Sequence, residues 1–89
     1  MVEIAYSSGF KRAYRRRIKG INLIEKKFFQ RLKLFISNPH HPKLKTHKLS
    51  GELRDLWSFS VDYDLRVVFY FSTPSKVIFI DIGTHDEVY

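Results

Sequence analysis

The chain contains no cysteine. Disulfides, thiolate zinc sites and cysteine nucleophiles are therefore excluded. No apolar run approaches the length of a membrane span. The start, Met1-Val2-Glu3-Ile4-Ala5-Tyr6, lacks the basic-then-apolar layout of a signal peptide, so a cytoplasmic protein without membrane association is expected. Also missing are a glycine-rich phosphate loop, a Ser/His/Asp nucleophile signature and a spaced His/Asp/Glu set that would hold a metal. Acidic residues are scarce in one half. Residues 1–50 hold two of them against thirteen Lys and Arg, a balance of +11, whereas residues 51–89 hold seven against three, a balance of −4; together they give the net charge of +7. The asymmetry suits a surface for nucleic acid or another polyanion, although a lysine-rich solvated surface gives the same count.

What the chain does have is apolar and aromatic. Hydrophobic residues make up 44% and aromatics 16% of 89 residues, enough for one folded domain over 1–89 with one core. Residues 2–6 read as a short first strand. Ser7 or Ser8 can cap a helix whose apolar face is Phe10, Ala13, Tyr14, Ile18 and Ile21 and whose other face carries Lys11, Arg12, Arg15, Arg16 and Lys19. Gly20 supplies the left-handed stop. A second helix starts at Asn22, with Glu25 completing a capping-box-like pair, and its stripe is Ile24, Phe28, Leu32, Phe35 and Ile36. Ser37-Asn38-Pro39 ends it. Residues 40–51, with three His and three Lys, read as a loop without regular structure.

Leu53, Leu56 and Trp57 open the next apolar segment, and residues 57–62 alternate as a strand with one wet face does. Tyr63-Asp64 marks a turn, 65–71 a strand rich in β-branched and aromatic residues, 72–75 a second turn and 77–82 a third strand. The order β-α-α-β-β-β predicts an α+β two-layer sandwich. The helical hairpin lies on one face of a mainly antiparallel sheet, and the first strand joins the sheet at an edge or in its middle.

The face away from the helices is where chemistry has room. Arg66 stands within an otherwise apolar strand, either as partner to Asp62, Asp64 or Asp81 or as a clamp for two oxygens of a phosphate. His85 follows the last strand after Gly83-Thr84, and His47 lies in the basic loop; His40 and His41 have weaker claims. Two imidazoles and a guanidinium are sufficient for metal-free RNA cleavage. One group removes the 2′-hydroxyl proton, another protonates the leaving 5′-oxygen, and the cation stabilises the crowded phosphorane.

Three segments, His47–Gly51, Tyr63–Phe69 and Ile82–Tyr89, together with the order and length of the elements, resemble the RelE/ParE superfamily of type II toxins. Within it the resemblance is strongest to the YafQ-like and RelE/StbE plasmid-stabilisation members. That resemblance implies a RelE-like fold and an endoribonuclease that cuts mRNA in the ribosomal A site, with no cofactor. It implies a cognate antitoxin, mRNA and the 70S ribosome with its ribosomal RNA as partners. The implied catalytic set is His85 as general acid, His47 or Asp64 as base or RNA-orienting group, and Arg66 on the scissile phosphate. Tyr89 matches a catalytic or base-stacking tyrosine of RelE-like members. Lys43, Lys45, Lys48, Arg12, Arg15 and Arg16 become RNA-binding candidates. The chain departs from the pattern at Ser58, Ser60 and Asp62, where some relatives have histidine or lysines, and at Asp81, where YafQ-like members have arginine. The alternatives are a ParE-like inhibitor of DNA gyrase and a non-catalytic module that binds RNA or antitoxin.

Overall fold

A computed structural model describes residues 1–51 and 55–89; the apolar role expected of Leu53 lies outside the described residues. Strand β1 (Glu3–Tyr6) leads into helix α1 (Ser8–Arg17), and helix α2 (Asn22–Ser37) follows. A 3-10 turn at Pro42–Leu44 and a two-residue strand β2 (His47–Lys48) come next. Strands β3 (Trp57–Ser60), β4 (Leu65–Thr73) and β5 (Lys76–Thr84) then form a meander, and a helical turn α3 (His85–Val88) closes the chain. The sheet order is β1-β5-β4-β3-β2. β1 runs parallel to β5 at one edge, and all other pairs are antiparallel.

The local causes are mostly those expected. The Ser7 side chain accepts from the Phe10 N–H at 3.0 Å and starts α1. Arg15, Arg16 and Arg17 crowd its last turn, where the helix dipole favours cations. Gly20, at φ +90°, turns the chain as a side-chain-bearing residue would resist doing. The start of α2 differs from expectation. Asn22 is its first residue, but the cap position is Ile21 and carries no side-chain bond. Glu25 reaches past it, accepting from the Gly20 N–H at 2.9 Å and from the Tyr14 hydroxyl at 2.6 Å. One carboxylate thus ties both helices to their connection, because the left-handed turn presents the Gly20 N–H to it. Ile21, expected in the core, is half exposed.

Phe35 is the centre of the core. It is wholly buried and stacks on Phe59 at 4.7 Å, with Phe69 and Phe79 edge-on at 5.1 and 5.5 Å. Each such aromatic contact adds about 0.5–1.5 kcal/mol beyond the area buried. Leu44 is equally buried, which corrects the reading of residues 40–51 as irregular. Pro42 starts a 3-10 turn capped by His41 Nδ1, which accepts from the Lys43 N–H at 3.1 Å. The anchored turn then feeds β2 onto the sheet edge. His40 packs against the rings of Trp57 and Phe71.

Strict alternation fails in β3. Phe59 faces the core, but Ser58 on the opposite side is only 1% exposed, because His47 and Val68 flank it in its row. The sheet face away from the helices is therefore closed in its middle and open towards its ends.

Candidate active site

Register places the functional side chains. Ser60, Arg66 and Gly83 form one row across β3, β4 and β5, and His47, Ser58, Val68 and Asp81 form the next across β2 to β5. Residues paired across a sheet share a face. Arg66 thus has a serine on one side and a glycine on the other, and the Arg17 and Glu87 side chains occupy the position over that glycine. Its Nε is buried and has no hydrogen-bond partner among the described residues. None of the aspartates proposed as structural partners takes it. Asp62 pairs with Lys27 at 3.2 Å and Asp81 with Arg17 at 3.1 Å.

What lies against Arg66 is the C-terminal tail, which makes one helical turn after β5. Thr84 caps α3, and Glu87 reaches back to accept from the Thr84 N–H at 2.7 Å, the return half of a capping box. The Thr84 N–H, assisted by Arg17 and Arg16, holds the Glu87 carboxyl below its ordinary value. One helical turn places His85 and Tyr89 side by side, four residues apart. Their rings meet edge-on at 4.7 Å. The Arg66 Cζ lies 5.8 Å from the centre of the Tyr89 ring, a cation–π distance. His85 is more than half exposed, with Nδ1 3.4 Å from an Asp86 oxygen. Arg66, Tyr89 and His85 are therefore one cluster at the end of the sheet.

Asp64 is exposed in the turn before β4. Leu65 pairs with Thr84, so Asp64 and His85 lie one step beyond the same rung. Asp64 also lines an open cleft of about 630 Å³, shared with Arg16, Arg17, Thr84 and Glu87. That cleft does not include Arg66, His85 or Tyr89 in its lining. His47 stands apart. Its Nδ1 is 2.9 Å from the Lys45 carbonyl, and it is three strand spacings from β5, roughly 14 Å.

The basic candidates divide. Lys43 and Lys45 join Arg31 and Tyr63 around a small cleft at the end of β3. Lys48 is exposed on β2. Arg16 lies beside the tail, Arg15 lines a groove on the helical layer, and Arg12 is exposed on α1. Sequence reading missed Arg17 and the capping box. The pattern Thr84-x-x-Glu87 is the signal that could have revealed the box. Among the described residues no three His, Cys, Asp or Glu side chains are grouped to hold a metal ion, and no described helix is long and apolar enough to cross a membrane.

Comparison with known proteins agrees with this architecture. The family model described as "Bacterial toxin of type II toxin-antitoxin system, YafQ" matches residues 2–89. Among solved structures, YafQ from E. coli strain BL21(DE3) superposes with a TM-score of 0.74 at 22% identity, covering 100% of this chain and 99% of that one. The E. coli DinJ–YafQ complex gives 0.68 at 22% identity, with 100% and 99% covered. A YoeB/ParE toxin from Agrobacterium tumefaciens gives 0.76 at 15% identity, with 94% and 99% covered. At these identities the structural likeness is one of fold. A search of curated proteins returned no match. With a family model spanning residues 2–89 on the expected α+β fold, the chain belongs to the YafQ family of bacterial type II toxin–antitoxin toxins.

Proposed function

We propose that this toxin is an endoribonuclease that cleaves mRNA in the ribosomal A site. The observation that carries the reading is the Arg66–Tyr89–His85 cluster, where a guanidinium whose buried Nε has no hydrogen-bond partner among the described residues faces a solvent-open imidazole across an aromatic ring. A nucleic-acid phosphate supplies the two acceptor oxygens that Arg66 lacks. The Tyr89 ring offers a surface on which a base stacks.

In the proposed reaction the 2′-oxygen attacks phosphorus as its proton passes to a base; of the two candidates, Asp64 and His47, Asp64 is nearer to the cluster in the sheet register. A P–O2′ bond forms and the P–O5′ bond breaks. His85 protonates the departing 5′-oxygen, leaving a 2′,3′-cyclic phosphate and a 5′-hydroxyl. His47 holds the RNA further along the sheet. Lys43, Lys45, Lys48, Arg12, Arg15 and Arg16 bind phosphates of the message and ribosomal RNA. The toxin acts in the cytoplasm. A cognate antitoxin neutralises it, a proposal supported by the DinJ–YafQ complex among its structural relatives.

Primer extension on a defined message in a purified translation system, with and without ribosomes, tests this. Cuts that need both ribosomes and His85 are expected. Intact transcripts at a dose that halts growth would overturn the reading. Double-strand DNA breaks with unchanged transcripts would point instead to a gyrase inhibitor.

A further inference from the structure

β1 pairs with β5 only as far as Tyr6 opposite Phe79, yet β5 runs on to Thr84. An uncovered strand edge leaves backbone carbonyls facing outwards. At this edge the last residue of α1 takes the place of a strand. Arg17 Nη1 donates to the Ile82 carbonyl at 2.9 Å and to Asp81 Oδ1 at 3.1 Å, and its Nε lies 3.5 Å from Glu87 Oε2. Its side chain is 18% exposed, unlike the exposed Arg15 and Arg16 beside it. Helix-dipole compensation and phosphate binding both explain exposed arginines at a helix end; neither explains one drawn into a strand edge.

Glu87 completes the connection. One of its oxygens accepts from the Thr84 N–H, and the other faces Arg17. Four residues of helix cannot hold themselves in water, so α3 depends on such anchors. Gly83 makes the arrangement possible. A Cβ there would stand 2.8 Å from Arg17 Nη1, 2.8 Å from Glu87 Oε1 and 3.1 Å from Glu87 Cβ. The long side-chain tips can move, but Glu87 Cβ is fixed to the α3 backbone.

We infer that Arg17 is a positioning residue: through Ile82, Asp81 and Glu87 it locks α3 onto β5, which sets His85 and Tyr89 against Arg66. Arg17 itself touches none of the three. The structural half of this inference stands independently, and its kinetic half rests on the proposed ribonuclease reading.

The test uses the whole chain with Arg17→Gln, Arg17→Lys and Gly83→Ala. In the wild type, NMR cross-relaxation is expected between the Tyr89 ring and both the Arg66 side chain and the His85 ring. Arg17→Gln and Gly83→Ala should abolish this cross-relaxation while amide exchange in β3 and β4 stays as in wild type. Arg17→Lys, which keeps the charge, should retain part of it. In the ribosome assay kcat should fall roughly 100-fold in Arg17→Gln, as for a reactive group displaced by about 1 Å, with KM changed less than about twofold and partial rescue in Arg17→Lys.

Tyr89 cross-relaxation that persists in Arg17→Gln would overturn the inference. So would a loss of protection spread evenly over the sheet, which would mean a general structural role, or an unchanged kcat once the cross-relaxation has vanished. If the wild-type chain cuts no RNA, the ribonuclease reading fails, and the NMR measurement alone still decides whether Arg17 holds α3.

Discussion

Arg66 and Tyr89 meet with the guanidinium carbon 5.8 Å from the ring centre, while the Arg66 Nε stays buried and unpartnered among the described residues. A buried donor left without an acceptor costs about 1–3 kcal/mol. The protein keeps this arrangement at the second residue of β4. Arg66→Met should therefore leave stability in chemical denaturation unchanged or raise it by about 1 kcal/mol, since an apolar side chain of similar length removes the orphan. The same substitution should lower cleavage by roughly 10²–10³-fold, the loss seen when a transition-state donor is deleted. Arg66→Lys should fail almost as badly, because an ammonium cannot span two phosphate oxygens. A destabilised but active Arg66→Met would show that the residue is structural.

Tyr14 and Glu25 predict how stability depends on pH. The Tyr14 hydroxyl and then the Gly20 N–H hold the Glu25 carboxyl below its ordinary value. A depressed carboxylate contributes stability above its unfolded pKa and loses it as pH falls through the folded one, so this contribution should fade below about pH 4.5. Burial, and next the bond to Glu25, push the Tyr14 phenol up. That contribution is complete below about pH 10 and is lost only as pH rises through the higher folded value. Tyr14→Phe should flatten both limbs of a melting-temperature profile, and unchanged limbs would assign them to other groups.

The elements whose causes are local could be read from the sequence. These include the Ser7 cap, the Gly20 stop, the Pro39 boundary, the β4 run and the two turns of the meander. Arg66, Tyr89 and His85 were all nameable, and their order along the chain hinted at one site. What could not be read depends on register and on residues distant in sequence. Leu44 enters the core only because its short turn is anchored under the sheet, and Ser58 is closed off by neighbours from two other strands. The role of Arg17 depends on where β1 ends opposite β5, a pairing separated by more than 60 residues along the chain. Asp81 shows the difference clearly. By resemblance alone it was a missing arginine, and in the fold it is the carboxylate partner of Arg17.

The basic linker should govern affinity and not chemistry. Lys43 and Lys45 line a cleft with Arg31 and the almost fully exposed Tyr63. A tyrosine so exposed contributes nothing to the core, and beside three cations it suits RNA. In a Lys43→Gln/Lys45→Gln double variant, the slope of log Kd for ribosomes against log salt should fall by about 1.4, or about 0.7 for each phosphate no longer neutralised. Single-turnover cleavage at saturating ribosomes should be unchanged. An unaltered slope would remove these lysines from the interface.

The separation of the two candidate histidines gives the sharpest kinetic contrast. His85 is in ring contact with Tyr89 and so shares a site with Arg66. His47 lies across the sheet, three strand spacings from β5, roughly 14 Å. Strands so far apart suit two imidazoles that hold different parts of one RNA strand better than two that act on one phosphorus. His85→Gln should therefore lower kcat by about 10²–10⁴-fold, the range for loss of a general acid or base, with little change in KM. His47→Gln should raise KM and leave kcat within a few-fold, the pattern of an interaction made equally in ground and transition states. Tyr89→Phe should leave both kcat and KM near wild type if the ring serves for stacking, because removing the hydroxyl keeps the π-face. An equal loss of kcat in His47→Gln and His85→Gln would mean that the RNA-bound toxin brings the two imidazoles together, and the base would then be His47 instead of Asp64.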